Sequence, residues 1–295
     1  MSKDRNDDRS ARDSHYASLR RQHRDKKRER GEIPTPSPKD RRQAAAAQWS
    51  PPSLQPDQVF LYGLHTVRAA LDNPARTLIK LSVTQNALAR LEIDDPGALR
   101  CPVEIVQPSD IDKMLGPDAI HQGVMLETRP LPVRKLEALK ESPLILVLDQ
   151  VTDPHNVGAI MRSAVAFAAG AVITTQRHSP TESGVLAKSA SGALEMIPYI
   201  QVTNLADALG ELHKLGFFAI GLDSEGPAAI EGTFSGEKIA LVLGSEGKGL
   251  RQKTRETVSA LARLDMPGEI KSLNVSNAAA IALYATRQFL LSSKG

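Results

Sequence analysis

Short apolar runs alternate with helix-like segments along the chain from Val59 onward. Up to residue 128 the runs VFLYG, LIKLSVT, PVEIV and HQGVMLET predict strands, and HTVRAALD, ALARLE and SDIDKML predict helices. Strand and helix patterns that alternate over so short a stretch are typical of a compact α/β domain. We therefore predict a small α/β domain over residues 57 to 128.

The same alternation resumes on a larger scale at Leu144. LILVLD is a continuous apolar run, as expected for a parallel strand buried on both faces. AVITT, IPYIQV, FFAIGL and IALVLG predict further strands, and ESGVLAKSA, LADALGELHKLG and SNAAAIALYATRQFLLS predict helices. After LILVLD, Asp153 and Pro154 are typical of a helix start, and Gly170 is the expected C-cap. Residues 144 to 295 are thus predicted to form a mostly parallel sheet with helices on both faces.

The segments outside these two regions have a different composition. Residues 1 to 56 include RRQHRDKKRER and few large aliphatic side chains, so they are predicted to form a disordered tail. The tail is basic, because the first 42 residues hold 14 Lys and Arg against 8 Asp and Glu, whereas the rest hold 23 against 26. A basic arm of this kind would bind an RNA backbone by counterion release. Residues 129 to 143, with three prolines, are predicted to be an interdomain linker.

Composition excludes several classes of protein. The formal net charge is only +3, which argues against a wholly basic nucleic-acid binder. Cys101 is the single cysteine, so an intramolecular disulfide and a cysteine zinc cluster are excluded, and no His pair has metal-binding spacing. The N-terminus lacks a signal-peptide pattern, and no apolar run approaches the ~20 residues that span a bilayer. We expect a cytoplasmic protein without a resident metal.

Three segments carry candidate chemistry at the ends of predicted strands. Asn156 and Arg162 lie in LDQVTDPHNVGAIMRSA, at and after a helix start. LVLGSEGKGL has glycines spaced GxxGxG, which is neither the dinucleotide fingerprint GxGxxG nor the phosphate loop GxxxxGK[ST], so a dehydrogenase and a nucleoside triphosphatase are disfavoured. SLNVSN holds Ser272 and Asn274 among four polar residues before a helix, more than capping requires. Each segment alone also has an ordinary structural interpretation, as a loop, a tight turn or a cap.

Together and in this order, DPHNVGAIMRSA, LGSEGKGL and SLNVSNAAAI resemble the SpoU (TrmH) family of RNA ribose 2′-O-methyltransferases, part of the SPOUT class. The intervening SASGALEMIPYIQVTNL also resembles this family. YGLHTVRAAL and HQGVMLE resemble the ribosomal-protein-like substrate-binding domain of the subgroup that methylates a guanosine of 23S rRNA. The resemblance implies a C-terminal trefoil knot, a homodimer with the active site at the subunit interface, and S-adenosyl-L-methionine as cofactor.

Site residues follow from the same resemblance. Arg162 would be the catalytic arginine, with Asn156, Glu246, Ser272 and Asn274 in support, and the cofactor would contact Gly244, Leu264, Met266 and Leu273. The chain departs from the family pattern Ile-Pro-Met-x-Gly, because it reads Leu-Asp-Met-Pro-Gly from 264 to 268. In the reaction a ribose 2′-oxygen attacks the sulfonium methyl. The resemblance implies that Arg162 accepts the proton, but a guanidinium is a poor proton acceptor, so we expect Arg162 to stabilise the developing alkoxide or clamp the neighbouring phosphate. Proton acceptance by Arg162 stays open as the alternative.

RNA binding and substrate choice leave alternatives open. Tyr62, His65 and Arg68 are candidates for RNA contact, although Tyr62 could equally belong to the core and the other two to a solvated helix face. The leading hypothesis is an enzyme that methylates structured RNA, with 23S rRNA favoured by the small domain. The alternatives are a tRNA methyltransferase, or a catalytically silent RNA-binding or ribosome-assembly factor on the same fold.

Overall fold

A seven-stranded, all-parallel sheet forms the larger part of the structure. The structure is a computed structural model that describes residues 49–50, 57–245 and 247–293. Its strands are β5 (Leu144–Asp149), β6 (Val172–Thr175), β7 (Tyr199–Val202), β8 (Phe218–Leu222), β9 (Ala228–Ala229), β10 (Ile239–Gly244) and β11 (Ala260–Arg263). The strand order in the sheet is β7-β6-β5-β10-β8-β11-β9. This sheet confirms the predicted α/β class with parallel strands.

A smaller mixed sheet precedes it along the chain, with strands β1 (Val59–Tyr62), β2 (Leu78–Val83), β3 (Val103–Ile105) and β4 (Val124–Thr128). The strand order is β1-β4-β2-β3, and β4 runs antiparallel to β1 and to β2. The helices between them are α1 (Leu64–Asp72), α2 (Gln85–Arg90) and α3 (Pro108–Leu115). These elements lie where the sequence pattern predicts them. The predicted tail falls outside the described residues apart from Trp49 and Ser50.

Helices cover both faces of the large sheet. They are α4 (Pro154–Ala166), α5 (Gly184–Ala190), α6 (Ala193–Met196), α7 (Leu205–Lys214), α8 (Gln252–Thr257) and α9 (Val275–Ser292). Alternate side chains of β5 enter different cores: Leu146 and Leu148 pack in the core with α4, α5 and α9, whereas Ile145 and Val147 pack with α7. The continuous apolar run of β5 is therefore explained by burial on both faces. None of the helices in the described part of the chain is both long and apolar enough to cross a membrane.

The two ends of α4 show what the sequence pattern can and cannot predict. Asp153 caps the start by accepting a hydrogen bond from the His155 N–H at 2.9 Å, and Pro154 occupies the first turn, as predicted. The prediction of Gly170 as C-cap is wrong, because the helix ends at Ala166 with Phe167 as its cap. The carbonyl of Phe167 accepts two hydrogen bonds from the Arg287 guanidinium of α9, at 2.6 and 2.8 Å. The chain leaves the helix before the glycine, where Ala168 has a φ of 54° and the Ala169 N–H donates to the Ala164 carbonyl at 2.8 Å.

Four short elements have no clear signal in the sequence: β9, β11, α6 and α8. β11 joins the sheet beside β8 although its residues, Ala260–Arg263, are only partly apolar. These elements depend on pairing or packing against neighbours that are distant in sequence. The predicted linker contains a 3-10 turn, Leu136–Leu139, whose two leucines are buried in the core shared with α7.

Gly158 allows α4 and α5 to pack closely. A Cβ atom at this position would lie 2.5 Å from Ser189 Cβ and 2.7 Å from the Ala190 backbone nitrogen. We therefore expect Gly158→Ala to lower the free energy of unfolding by ~1–3 kcal/mol, the usual cost of overpacking. The matched control is Gly210→Ala in α7, where a Cβ meets nothing within 4 Å. In the control, the free energy of unfolding should rise by ~0.5–1 kcal/mol, because alanine has a higher helix propensity than glycine. Denaturant titration measures the free energy of unfolding of both variants. Equal effects of the two substitutions would contradict the packing argument.

Candidate active site

The three candidate segments converge at the carboxyl edge of the large sheet. β5 and β10 are neighbours in the sheet. The strands that follow β5 along the chain, β6 and β7, extend the sheet in one direction, whereas β8, β11 and β9 extend it from β10 in the opposite direction. Open parallel sheets bind ligands where the strand order diverges in this way. The first segment follows β5, the glycine-rich segment follows β10, and the third leads from β11 into α9. Their convergence makes this edge the candidate site.

The glycine-rich turn after β10 requires its glycines for backbone packing. A Cβ on Gly244 would lie 2.1 Å from the Gly249 carbonyl carbon and 2.5 Å from the Leu250 nitrogen. Gly247 and Gly249 have φ angles of 78° and 63°, in the left-handed region that side chains disfavour. The turn closes through a hydrogen bond from the Gly249 N–H to the Ser245 carbonyl at 3.0 Å. The chain therefore folds back tightly and exposes backbone to a ligand.

A cavity of about 490 Å³ lies between this turn and the loops after β8 and β11. Its volume falls within the range of small-molecule sites. All four residues predicted to contact the cofactor line it: Gly244, Leu264, Met266 and Leu273. Asp223 and Glu225 contribute carboxylates, and Leu243 and Val275 contribute apolar surface. The cavity thus combines an apolar wall, acidic groups and a glycine-rich backbone.

Asn156 and Asn274 meet beside this cavity. The Asn274 amide donates a hydrogen bond to Asn156 Oδ1 at 3.1 Å, across 118 residues of sequence. Asn274 also caps α9, because its Oδ1 accepts the Ser276 N–H at 2.8 Å. Ser272 is exposed and lines the cavity. Glu246 lies outside the described residues.

Arg162 lies apart from the two asparagines. It is six residues beyond Asn156 on α4, which corresponds to ~9 Å along the helix axis and a different face. Its side chain is exposed, and no hydrogen bond or ion pair to another described residue holds it. Within one chain the predicted catalytic set is therefore divided, with Asn156 and Asn274 together and Arg162 on the open face of α4.

The three candidate RNA-binding residues of the small sheet have different surroundings. His65 is exposed at the start of α1. Tyr62 is half-buried against Gly184, and burial raises the pKa of its hydroxyl. The Arg68 guanidinium pairs with Asp72 at 3.0 Å and donates to the Leu91 carbonyl at 2.8 Å. Tyr62 and Arg68 thus have structural roles within the chain.

Sequence reasoning missed two arginine–carboxylate pairs that hold the glycine-rich turn. Asp149, fully buried at the end of β5, accepts hydrogen bonds from the Arg251 N–H at 3.0 Å and the Arg251 Nε at 2.7 Å. Asp223 pairs with Arg255, which lies four residues after Arg251, in α8. The sequence does contain a signal for Asp149: it ends the apolar strand LILVLD, and a carboxylate that is buried there needs a hydrogen-bonding or charged partner. Its partner, 102 residues away, was not predictable.

A larger cavity, of about 630 Å³, lies at the other end of the large sheet. It is lined by the amino end of β7 and by residues of the small sheet and the linker, such as Tyr199, Gln58 and Val133. None of the candidate catalytic or cofactor residues lines it, so we do not assign the chemistry to it. Within the described residues, no group of three His, Cys, Asp or Glu side chains is arranged to hold a metal ion.

Fold and site together define an α/β protein with a small mixed sheet and a larger parallel sheet, whose carboxyl edge beyond β8, β10 and β11 holds a ligand cavity. Residues 143–284 match the SpoU rRNA methylase family, and residues 60–133 match the RNA 2′-O ribose methyltransferase substrate-binding family. The chain belongs to the SpoU rRNA methylase family. The predicted resemblance is therefore confirmed.

Individual relatives agree with this assignment. The chain is 39% identical over 238 residues to the 23S rRNA (guanosine-2′-O-)-methyltransferase RlmB of Ralstonia nicotianae, which covers 78% of this chain and 95% of that protein. Identity to the enzyme of the same name from Pseudomonas putida is 37%, over 77% of this chain and 96% of the relative. The crystal structure of the SpoU methyltransferase AviRb from Streptomyces viridochromogenes, in complex with AdoMet, superposes with a TM-score of 0.68 at 19% identity, over 87% and 94% of the two chains.

The pair between Asp149 and Arg251 provides a test of how the glycine-rich turn is held. Asp149→Asn keeps the shape but loses the charge, and hydrogen bonds to charged groups contribute ~1.5–3 kcal/mol. We expect amide exchange in residues 245 to 251 to accelerate about tenfold or more, as measured by hydrogen-exchange mass spectrometry. Glu256→Gln is the control, because it weakens only an exposed contact with Gln252 on the same helix. Unchanged exchange in Asp149→Asn would mean that the turn is held by other contacts.

Proposed function

We propose that this protein uses S-adenosyl-L-methionine to methylate the ribose 2′-oxygen of a guanosine in 23S rRNA. The observation that carries the proposal is the meeting of Asn156 and Asn274 beside the cavity built by the glycine-rich turn. The guanosine and 23S rRNA specificity is supported by relatives that are named for this activity and match across the small sheet as well as the large one.

The cavity fits the proposed cofactor in its chemistry. The cofactor supplies an electrophilic methyl group on a sulfonium sulfur. Leu243, Leu264 and Val275 offer an apolar surface for an adenine ring, and Gly244, Gly247 and Gly249 place backbone at the cavity wall. The Glu225 carboxylate at the rim would balance positive charge on the ligand. These are the properties that a cationic nucleoside ligand requires.

The proposed roles of the polar residues follow from their chemistry. Asn156 and Asn274 orient each other, and Ser272 extends the same polar surface toward a ribose. The Arg162 guanidinium would stabilise the negative charge that develops on the 2′-oxygen, because it carries several hydrogen-bond donors in a fixed planar arrangement. Glu246 would orient that arginine. The candidates for RNA contact remain Tyr62, His65 and Arg68, of which His65 and Arg68 have exposed side chains.

A homodimer completes the proposed site. Arg162 lies on an open face of α4, away from Asn156, so a second copy would bring an arginine to the asparagine pair. α9 packs beside α4 and exposes a stripe at heptad spacing: Asn277, Ile281, Tyr284, Gln288 and Leu291. Such a stripe is typical of a helix that packs against a partner.

The proposal also includes a C-terminal trefoil knot. Its support is that residues within 264 to 274 return to the cavity beside the glycine-rich turn.

The proposed organisation of the chain is a basic RNA-binding tail over residues 1 to 56, a substrate-binding domain over 57 to 128, a linker and a catalytic domain from 144. Its support is the pair of separate sheets and the two family matches, which divide the chain between residues 133 and 143. Cytoplasmic localisation follows from ribosomal RNA as the proposed substrate.

Arg162→Ala tests the catalytic assignment. We expect methyl transfer to fall by at least about 100-fold, since removing one charge-stabilising donor typically costs that much. Cofactor affinity measured by calorimetry should stay within about twofold, because Arg162 does not line the cavity. The control is Lys214→Ala, an exposed cation on α7 on the opposite face of the sheet.

The readout is mass-spectrometric mapping of 2′-O-methyl groups in total RNA from cells that lack the gene and are complemented with each variant. Wild type and Lys214→Ala should restore one methylated guanosine in 23S rRNA, and Arg162→Ala should not. Restoration of a tRNA site would replace the proposed substrate. Cofactor binding by wild type without any methylated nucleotide would favour a silent RNA-binding factor.

Ile281→Asp tests the dimer. An aspartate in the middle of the α9 stripe would place a charge in the proposed interface, so we expect the mass from light scattering to fall from two chains to one, with methylation lost. Ile105→Asp is the control, an exposed isoleucine on β3 of the small sheet. A dimer that withstands Ile281→Asp would place the interface elsewhere.

A further inference from the structure

One segment of the large sheet region is packed between α4 and the small sheet. We call Glu182–Met196, which contains α5 and α6, the docking segment. On one side, Ser189 Oγ is hydrogen-bonded to His155 Nδ1 at 2.9 Å, next to Asn156 in α4. On the other side, the Thr66 hydroxyl donates to the Ala187 carbonyl at 3.2 Å in a buried contact. The docking segment therefore contacts α4 on one side and α1, the first helix of the small-sheet region, on the other.

The closeness of this packing is visible at Gly184. A Cβ at this position would lie 2.4 Å from the Phe60 carbonyl oxygen and 2.6 Å from Tyr62 Cε1. The apolar cores are also continuous, because Leu61 and Val67 of the small sheet region belong to the same buried cluster as Leu186 of α5. The small sheet thus lies directly on the docking segment.

Arg76, from the small sheet region, is fully buried and pairs with two carboxylates of the docking segment, Glu182 and Glu195. Its Nε donates to Glu195 Oε2 at 3.1 Å, and its Nη1 also donates to the Arg129 carbonyl at 2.9 Å. Burial alone lowers the pKa of the guanidinium, but hydrogen bonding and charge from Glu195 and Glu182 outweigh it and raise that pKa. A buried ion cluster tolerates little misalignment, because each charge must keep its partners.

Two neighbouring groups extend the cluster. The Asn73 amide donates to Glu195 Oε2 at 2.8 Å, and the Leu131 N–H donates to Glu182 Oε2 at 2.9 Å. Arg129 and Leu131 belong to the start of the predicted linker. The cluster therefore fastens the small sheet region, the linker and the docking segment at one point.

A second polar contact lies at Gln122. The Lys188 ammonium of α5 donates to Gln122 Oε1 at 2.7 Å, and the Leu64 N–H donates to the same oxygen at 3.2 Å. Gln122 has a φ of 58° and Gly63 a φ of 87°, and a Cβ on Gly63 would lie 2.3 Å from Lys188 Nζ. The two motifs that carry the small domain's family resemblance, YGLH and HQG, thus meet at a lysine of the docking segment.

We propose that Arg76 is a positioning residue, which with Gln122 locks the small sheet onto the docking segment so that bound RNA is held at a fixed distance from the catalytic helix α4. The lock itself follows from the contacts above, and only its consequence for RNA rests on the proposed function. The hydrogen bond between Ser189 and His155 in turn holds the docking segment against α4, the helix that carries Asn156 and Arg162.

The test removes the three charges together, in Arg76→Met/Glu182→Gln/Glu195→Gln, so that no buried charge is left unpaired. We expect small-angle X-ray scattering of the full chain to show a more extended particle. We expect kcat/KM for RNA to fall about tenfold to 100-fold through misplacement of the substrate. Cofactor affinity by calorimetry should stay within about twofold. The control is Lys80→Met/Glu104→Gln, which removes an exposed ion pair between β2 and β3.

Scattering needs no enzymatic activity, so it separates the lock from the proposed function. Unchanged scattering in the triple variant would overturn the lock, whatever happens to the rate. A more extended particle with unchanged kcat/KM would overturn the positioning role. If the triple variant fails to fold, Gln122→Gly/Lys188→Met replaces it, because glycine accepts the left-handed φ at residue 122. The same expected and contradicting results then apply.

Discussion

The buried strand β10 is the constraint on which the rest of the structure depends. It pairs in parallel with β5 on one side and with β8 on the other, and this pairing satisfies its backbone hydrogen bonds on both sides. That shared direction places the ends of all three strands at one edge. The glycine-rich segment and SLNVSN line a common cavity at this edge, and the first segment joins them through the hydrogen bond between Asn274 and Asn156.

Burial of apolar side chains stabilises the individual strands and helices, whereas polar contacts fix how these elements are oriented relative to one another. Asp149 and Arg251 fix the turn after β10, and Asn156 and Asn274 fix the starts of two helices against each other. Arg76 acts in the same way on a larger scale, between the two sheets. Each pair joins residues remote in sequence. The apolar cores could accept small shifts between their elements, but a buried charge or amide would lose its partner.

Much of the fold could be predicted because it follows from local patterns. LILVLD is a strand because a continuous apolar run suits a position buried on both faces, and Asp153 with Pro154 begins a helix through contacts within four residues. Gly170 shows the limit of this reasoning: the helix ends earlier, where Ala168 takes a left-handed φ and the Arg287 guanidinium, 120 residues from Phe167, binds the Phe167 carbonyl. β11 was missed for a related reason, since its pairing with β8 compensates for a weak apolar pattern.

For the candidate site, the sequence by itself determined the residue types, their order and their association with strand ends, which suffice for the family. Only the tertiary structure decided which of them meet. It joined Asn156 to Asn274, gathered Gly244, Leu264, Met266 and Leu273 around one cavity, and left Arg162 on an open face of α4. The physical reason is that spacing along a chain sets the face of a helix or strand, whereas distances between remote residues depend on strand order and on packing between elements.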